Sequence, residues 1–168
     1  MHMSMYQASV PIFLQRLEAL SHVLDLGAAH AAAQGRDPAE LIAARLAPDM
    51  LPFKAQVYIA TDHAKGCAAR LAGVDIPVYE DTEATFDELK ARIAKTMAYL
   101  QSLQHTQIDG SEERSITLKM RSGELHFTGL HYLQQFALPN FFFHVVTAYD
   151  ILRNQGVPLG KRDFLGSA

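Results

Sequence analysis

Four stretches of the chain repeat apolar residues at helical spacing. In the first, Val10, Phe13, Leu14, Leu17, Leu20, Leu24, Ala28 and Ala31 form one stripe, which predicts a helix over about 5–34. Pro11 falls inside it, so the first turn starts late or kinks. Gly35 is a natural stop. Asp37-Pro38-Ala39-Glu40 then offers a cap, a first-turn proline and a glutamate three residues past the cap. With Leu41, Ile42 and Leu46 it predicts a short linking helix that Pro48 ends. The second long helix, about 50–72, has Pro52 in its first turn and aligns Phe53, Gln56, Val57, Ala60, Ala64, Cys67 and Leu71. Gly73 stops it. Gly66, in its middle, costs about 1 kcal/mol relative to Ala, and close approach of a neighbouring helix is the expected compensation.

An acidic loop, Asp75 to Ala84, leads to the capping box Thr85-x-x-Glu88. Phe86, Leu89, Ile93, Met97, Leu100 and Leu103 then carry a third long helix to about 104. Beyond it the period changes. Ile116, Leu118 and Met120 alternate with Thr117 and Lys119, Arg121-Ser122-Gly123 is turn chemistry, and Glu124–Phe127 predicts a return strand. Gly129 to Ala137 is a short helical or turn segment. The fourth long helix begins near Pro139 and runs to about Asn154, with Gly156 as its cap and Pro158 beyond. The expected fold is all-α: a single four-helix bundle domain over 1–168, with a short linking helix and a small β-hairpin insertion before the last helix. Phe164 and Leu165 are expected to dock the C-terminal segment.

Composition narrows the function classes. The chain has 168 residues, 49% hydrophobic and 20% charged, which suits one soluble domain. A net charge of −3 and the lack of a basic block argue against nucleic-acid binding. No apolar run is long enough for a membrane span, and the N-terminus lacks a signal-peptide pattern. The single cysteine, Cys67, fits a reducing compartment and an inert core thiol. A cytoplasmic protein is expected.

Eight histidines invite a metal reading. Most fall in unsuitable places: His2 in a frayed end, His22 and His30 on the flank of the first stripe, His105 in a loop, and His126 and His131 at a spacing that does not share a helix face. Two remain. His63 lies seven residues after Gln56, and His144 four after Asn140, so each pair shares a face. Facing pairs of this kind build sites in bundle cores. Histidine serves there as ligand, acid or base. The alternative is a core histidine satisfied by hydrogen bonds to Gln56, Asp62 or Tyr58. The acidic run Glu80-Asp81-Thr82-Glu83 is explained by the helix start that follows it. Phe141-Phe142-Phe143 covers a wide arc, mostly core, with part available to a homodimer partner. Glu-x-x-His, glycine-rich phosphate loops, His-Glu-x-x-His and Gly-x-Ser-x-Gly do not occur.

The segment LPNFFFHVVTAYDILRNQGVPLGKRDFLG, with QVYIATDHAKGCAARLAG and EDTEATFDEL before it, resembles the bacterial family called domain of unknown function 1993, grouped with the DinB/YfiT-like four-helix bundles. That resemblance implies a site for a divalent metal (Zn, Ni or Mn) held by three histidines, and in some members a thiol-dependent transferase or isomerase activity. His144 stands nine before Arg153, which Leu152 precedes, and takes the place of one ligand. Asn140 and Gln56 stand where the other two would be, with His63 one turn or two further along. Neutral amides suit hard cations and make a poor zinc or nickel site. Two functions therefore remain open: a polar pocket binding a small molecule or weakly a metal, and a non-enzymatic dimeric bundle whose polar core residues only fix packing.

Overall fold

The computed structural model describes residues 3–166, so the expectation for His2 lies outside the described residues. The elements, in order, are α1 (Val10–Ala33), α2 (Pro38–Ala43), α3 (Phe53–Ala72), α4 (Phe86–Ser102), α5 (His105–Ile108), β1 (Ser115–Met120), β2 (Gly123–Thr128), α6 (Gly129–Tyr132), a π-helical turn (Leu133–Ala137), α7 (Leu138–Asn154) and α8 (Lys161–Leu165). The structure is mostly helical, with one small antiparallel hairpin. Four long helices share one core: α3 packs on α7 and α4, and α1 packs on α4 and α7. Phe13, Leu17, Phe53, Leu89, Phe141 and Leu152 are among its fully buried side chains. None of the helices is long and apolar enough to cross a membrane, among the described residues.

Local chemistry sets the ends. Pro11 occupies the first turn of α1, and the helix accordingly starts at Val10 rather than near Met5. The side chain of Asp37 accepts from the Ala39 N–H and caps α2. At α4 the Thr85 hydroxyl accepts from the Glu88 N–H at 3.2 Å while the Glu88 carboxylate accepts from the Thr85 N–H at 3.0 Å, the reciprocal box its sequence announces. Gly73 ends α3 at φ +70°, in the left-handed region.

Three expectations are corrected. The short helical segment and the last helix from near Pro139 to Asn154 are present as expected, but no break separates them: residues 129–154 form one continuous helical run. A π turn is what lets it continue: the Leu138 N–H reaches back to the Leu133 carbonyl, one residue further than in an α-helix, just before the proline that has no N–H to give. Gly66 is not matched by a neighbouring backbone. A Cβ there would lie 2.8 Å from Nη1 of Arg70, whose guanidinium folds over the glycine and donates to the Tyr132 hydroxyl at 3.1 Å. At the C-terminus Phe164 packs on the core while Leu165 stays exposed. Arg16 holds this end, donating to the Phe164 carbonyl at 2.5 Å and to the Leu165 carbonyl, with its guanidinium over the Phe164 ring.

The hairpin pairs Ser115 with Thr128 through to Met120 with Gly123. Ile116 and Leu118 turn inward and are buried, while Met120 at the tip is exposed. Its base is fixed where α6 begins. Leu130 N–H donates to the Glu112 carbonyl at 2.9 Å, and the Ser111 carbonyl sits so close to Gly129 that a Cβ would lie 2.0 Å from it.

Candidate functional site

His144, from the middle of α7, faces α3. Its Nδ1 lies 2.7 Å from Oε1 of Gln56. The Gln56 amide is itself fixed, because its Nε2 donates to the Leu51 carbonyl at 3.0 Å. An amide nitrogen committed to a carbonyl leaves the oxygen toward the imidazole, so Nδ1 must carry the proton and donate. The neutral ring then keeps its lone pair on Nε2. Gln56 is 2% exposed and uses both ends of its amide in this bridge.

His63 stacks on His144, with ring centroids 5.9 Å apart and planes 13° from parallel. Phe136, from the π turn, has its ring centroid 5.9 Å from that of His63, tilted by 58°, and Phe143 meets His144 edge-on at 5.2 Å. Burial holds His63 down at about 4, with help from the neighbouring His144 and from Arg70 against the opposing pull of Asp62. Burial alone lowers His144. Both rings are set up to remain neutral near pH 7, because a half-buried cation loses hydration that nothing here replaces.

The expected residues thus separate. Gln56, His63 and His144 come together. Asn140, one turn before His144, does not join them, since its Nδ2 donates to the Phe136 carbonyl at 2.7 Å and caps the helix backbone beside Pro139. The Cys67 thiol is fully buried, and burial pushes its pKa far above the ordinary thiol range, so it is no nucleophile. Of the three consecutive phenylalanines, Phe141 is core, Phe142 is half-buried and Phe143 is 57% exposed.

Beside His63 lies a cavity of about 250 Å³ walled by Asp62, His63, Arg70, Leu118, Lys119, Met120 and Phe136. Arg70 was detectable in the sequence, because it falls seven residues after His63 on the same face. The hairpin residues were not, because only its folding onto α3 brings Leu118 and Lys119 there.

A second polar cluster, absent from the sequence reading, occupies the neighbouring face of α3, toward α4. Arg92 of α4 is 3% exposed and spends its whole guanidinium. Nε donates to Thr61 at 2.8 Å, Nη2 meets Asp62 and Asp81 at 3.0 Å each, and Nη1 meets the Glu80 carbonyl at 3.0 Å and Glu83 at 3.3 Å. Its face lies over Tyr58, whose hydroxyl donates to the Glu83 carbonyl. Lys65 pairs with Asp62 at 2.8 Å. The acidic run 80–83 is therefore an anchor that ties the loop to α3 and α4, beyond any effect on the start of α4.

Residues 5–165 match the sequence model of the family described as Domain of unknown function (DUF1993). The chain belongs to that family. In three dimensions this DUF1993 protein is similar to the crystal structure of a DinB family member protein from Shewanella denitrificans, with a TM-score of 0.89 and 34% sequence identity over 97% of this chain and 92% of that one. No curated protein matches it.

DinB-like membership raises the three-histidine metal site, and the donors present do not fit it. No group of three His, Cys, Asp or Glu side chains that could hold a metal ion occurs among the described residues. Gln56 Oε1 is taken by the imidazole N–H, and the Asn140 amide is turned to the backbone. Two imidazoles fall short of the three protein ligands that a catalytic zinc keeps.

Proposed function

We propose that this DUF1993 protein is a DinB-like four-helix bundle domain whose site is a small-molecule pocket, with His144 as a neutral proton acceptor in place of a metal. The observation that carries the reading is the Leu51–Gln56–His144 relay. It fixes one ring nitrogen as a donor and leaves the other as the base. A reaction of the thiol-transfer type suits such a base. A thiol gives its proton to Nε2 as its sulfur bonds to an electrophilic carbon of a second substrate, and the group leaving that carbon takes the proton back from the imidazolium. The atoms balance without a metal.

Nitrogen-15 correlation spectra of the histidine rings, on protein purified without a histidine tag, test the base. His144 is expected to show a protonated Nδ1 and a bare Nε2 at pH 7, with no change on adding Zn²⁺, Ni²⁺ or Mn²⁺. The opposite tautomer, or a bound ion at stoichiometric level, would overturn it. Reaction of 2-mercaptoethanol with 1-chloro-2,4-dinitrobenzene tests the chemistry. His144→Gln keeps a donor for Gln56 and should lose about 10²-fold or more of any rate above background.

The same relay supports a second reading, a non-enzymatic dimer in which the polar groups fix packing, because Gln56 is satisfied at both ends. Under it, Phe143 on the outer side of α7 would contribute to the dimer contact, His144→Ala would lower stability, and no thiol chemistry would be lost.

A further inference from the structure

The cavity beside His63 has a charge pattern that the relay does not explain. Two cations line it, Arg70 from α3 and Lys119 from β1. Neither is in an ion pair among the described residues. Arg70 makes one side-chain hydrogen bond, to the neutral hydroxyl of Tyr132. Burial pushes that phenol up to about 12, so it offers no negative charge. The one carboxylate on the wall, Asp62, is committed elsewhere, to Arg92 at 3.0 Å and Lys65 at 2.8 Å. Contrast the Arg92 side of the same helix, where each guanidinium nitrogen has a partner. The rest of the wall is apolar: Leu118, Met120 and Phe136.

We propose that this cavity binds a small organic carboxylate, with its anionic end on Arg70 and Lys119 and its apolar part against Leu118, Met120 and Phe136. The inference rests on the reading of the His63–His144 site as a small-molecule pocket, and names the class of molecule it takes. A guanidinium matches a carboxylate with two parallel N–H donors, and the exposed Lys119, next to Leu118 on the hairpin, adds a point charge. The volume, about 250 Å³, lies just below the usual range for drug-sized ligands and suits a fragment-sized molecule. His63, neutral and in contact with the same space, then lies next to the bound molecule, with His144 stacked behind it.

Phenylacetate and its uncharged analogue phenylacetamide are the probes. Titration of each is followed by the ring resonances of His63, assigned by their loss in His63→Gln. Phenylacetate should shift them saturably, and phenylacetamide should bind at least about tenfold more weakly. Arg70→Gln should weaken phenylacetate by about tenfold or more, and Arg70→Lys and Lys119→Gln by less. Because Arg70 also holds Tyr132, each variant is checked for an unchanged unfolding midpoint, and Arg70→Lys retains the charge if Gln fails to fold. Equal binding of acid and amide, no binding of either, or an Arg70→Gln affinity equal to wild type would overturn the proposal. Those outcomes are independent of the His144 tautomer, so the anion site and the base can fail separately.

Discussion

Asp62 and His63 are neighbours in the chain and belong to two different networks. Asp62 turns toward α4 and joins Arg92, Lys65 and the acidic loop. His63 turns toward α7 and joins His144, Gln56 and Phe136. On the first side the groups are charged and each guanidinium nitrogen is used. On the second the groups are neutral, and by the tautomer argument a ring nitrogen is left over. A buried charge left without partners costs several kcal/mol, and a saturated cluster has nothing to offer a ligand. A neutral imidazole can be half-satisfied at small cost, and its spare lone pair can do chemistry. Saturation marks the structural side of α3 and the unused acceptor marks the functional one.

The sharpest break of this contrast is Arg92→Ala. It removes a buried guanidinium and leaves Glu83 without its partner, while Asp62 and Asp81 are about half exposed and Asp62 keeps Lys65. Unfolding in urea should therefore show a loss of about 3–4 kcal/mol, below the full buried-pair cost. A loss below about 1 kcal/mol would place the cluster with ordinary surface pairs.

On the neutral side the leading effect is pH. Folded His63 takes its proton near 4, whereas the unfolded side chain takes it near 6.5. Between those values the unfolded chain holds more protons, so stability is full above about pH 6.5 and falls as pH drops toward 4. Up to roughly 3 kcal/mol is at stake from this ring, and the pH 7 to pH 4 loss should be smaller by about that much in His63→Gln. Equal losses in the two proteins would mean that His63 is solvated.

Next comes His144→Ala, which leaves Gln56 Oε1 buried without a donor and should cost about 1–3 kcal/mol, read from the urea midpoint. The double variant with Gln56→Leu should recover part of it, since both ends of the broken bond are then apolar. Smallest is Gly66→Ala. It gains about 1 kcal/mol of helix propensity and displaces the flexible end of Arg70, so a net change within about 1 kcal/mol is expected.

Much of the helical frame was legible because stripes, caps and stops agree at most boundaries. Thr85 and Glu88, Gly73 and the Asp37-Pro38 start all act locally, and local chemistry survives folding. The pairing of Gln56 with His144 was half legible. Each spacing gave a face, and the face-to-face meeting came from packing. Asn140 misled because a polar residue in register with a histidine looks like a site partner, whereas the nearby proline makes its amide more useful to the backbone. Arg92 was hidden inside an apolar stripe between Leu89 and Ile93, where a charged residue passes for a surface position. Its partners lie in a loop whose path periodicity does not describe. The walls of the cavity come from two elements distant in sequence, and the unpaired state of Arg70 and Lys119 is a property of three-dimensional neighbours only.

The π turn at Leu133–Ala137 makes the geometry of the site depend on chain length at one point. A helix widened in this way holds one residue more than a regular one, so deleting a single residue there would let the run close up as α-helix. Everything before it would then swing by about 100° around the axis relative to α7. Tyr132 would leave Arg70, Gly129 would leave the Ser111 carbonyl, and the hairpin would carry Leu118 and Lys119 off the cavity, while His144 and Gln56 stayed together. A one-residue deletion would thus cut the relay from its pocket and also displace the buried Tyr132, Ile116 and Leu118 from the core, so a relative of this protein that altered its binding by length at this turn would need matching changes in those three positions.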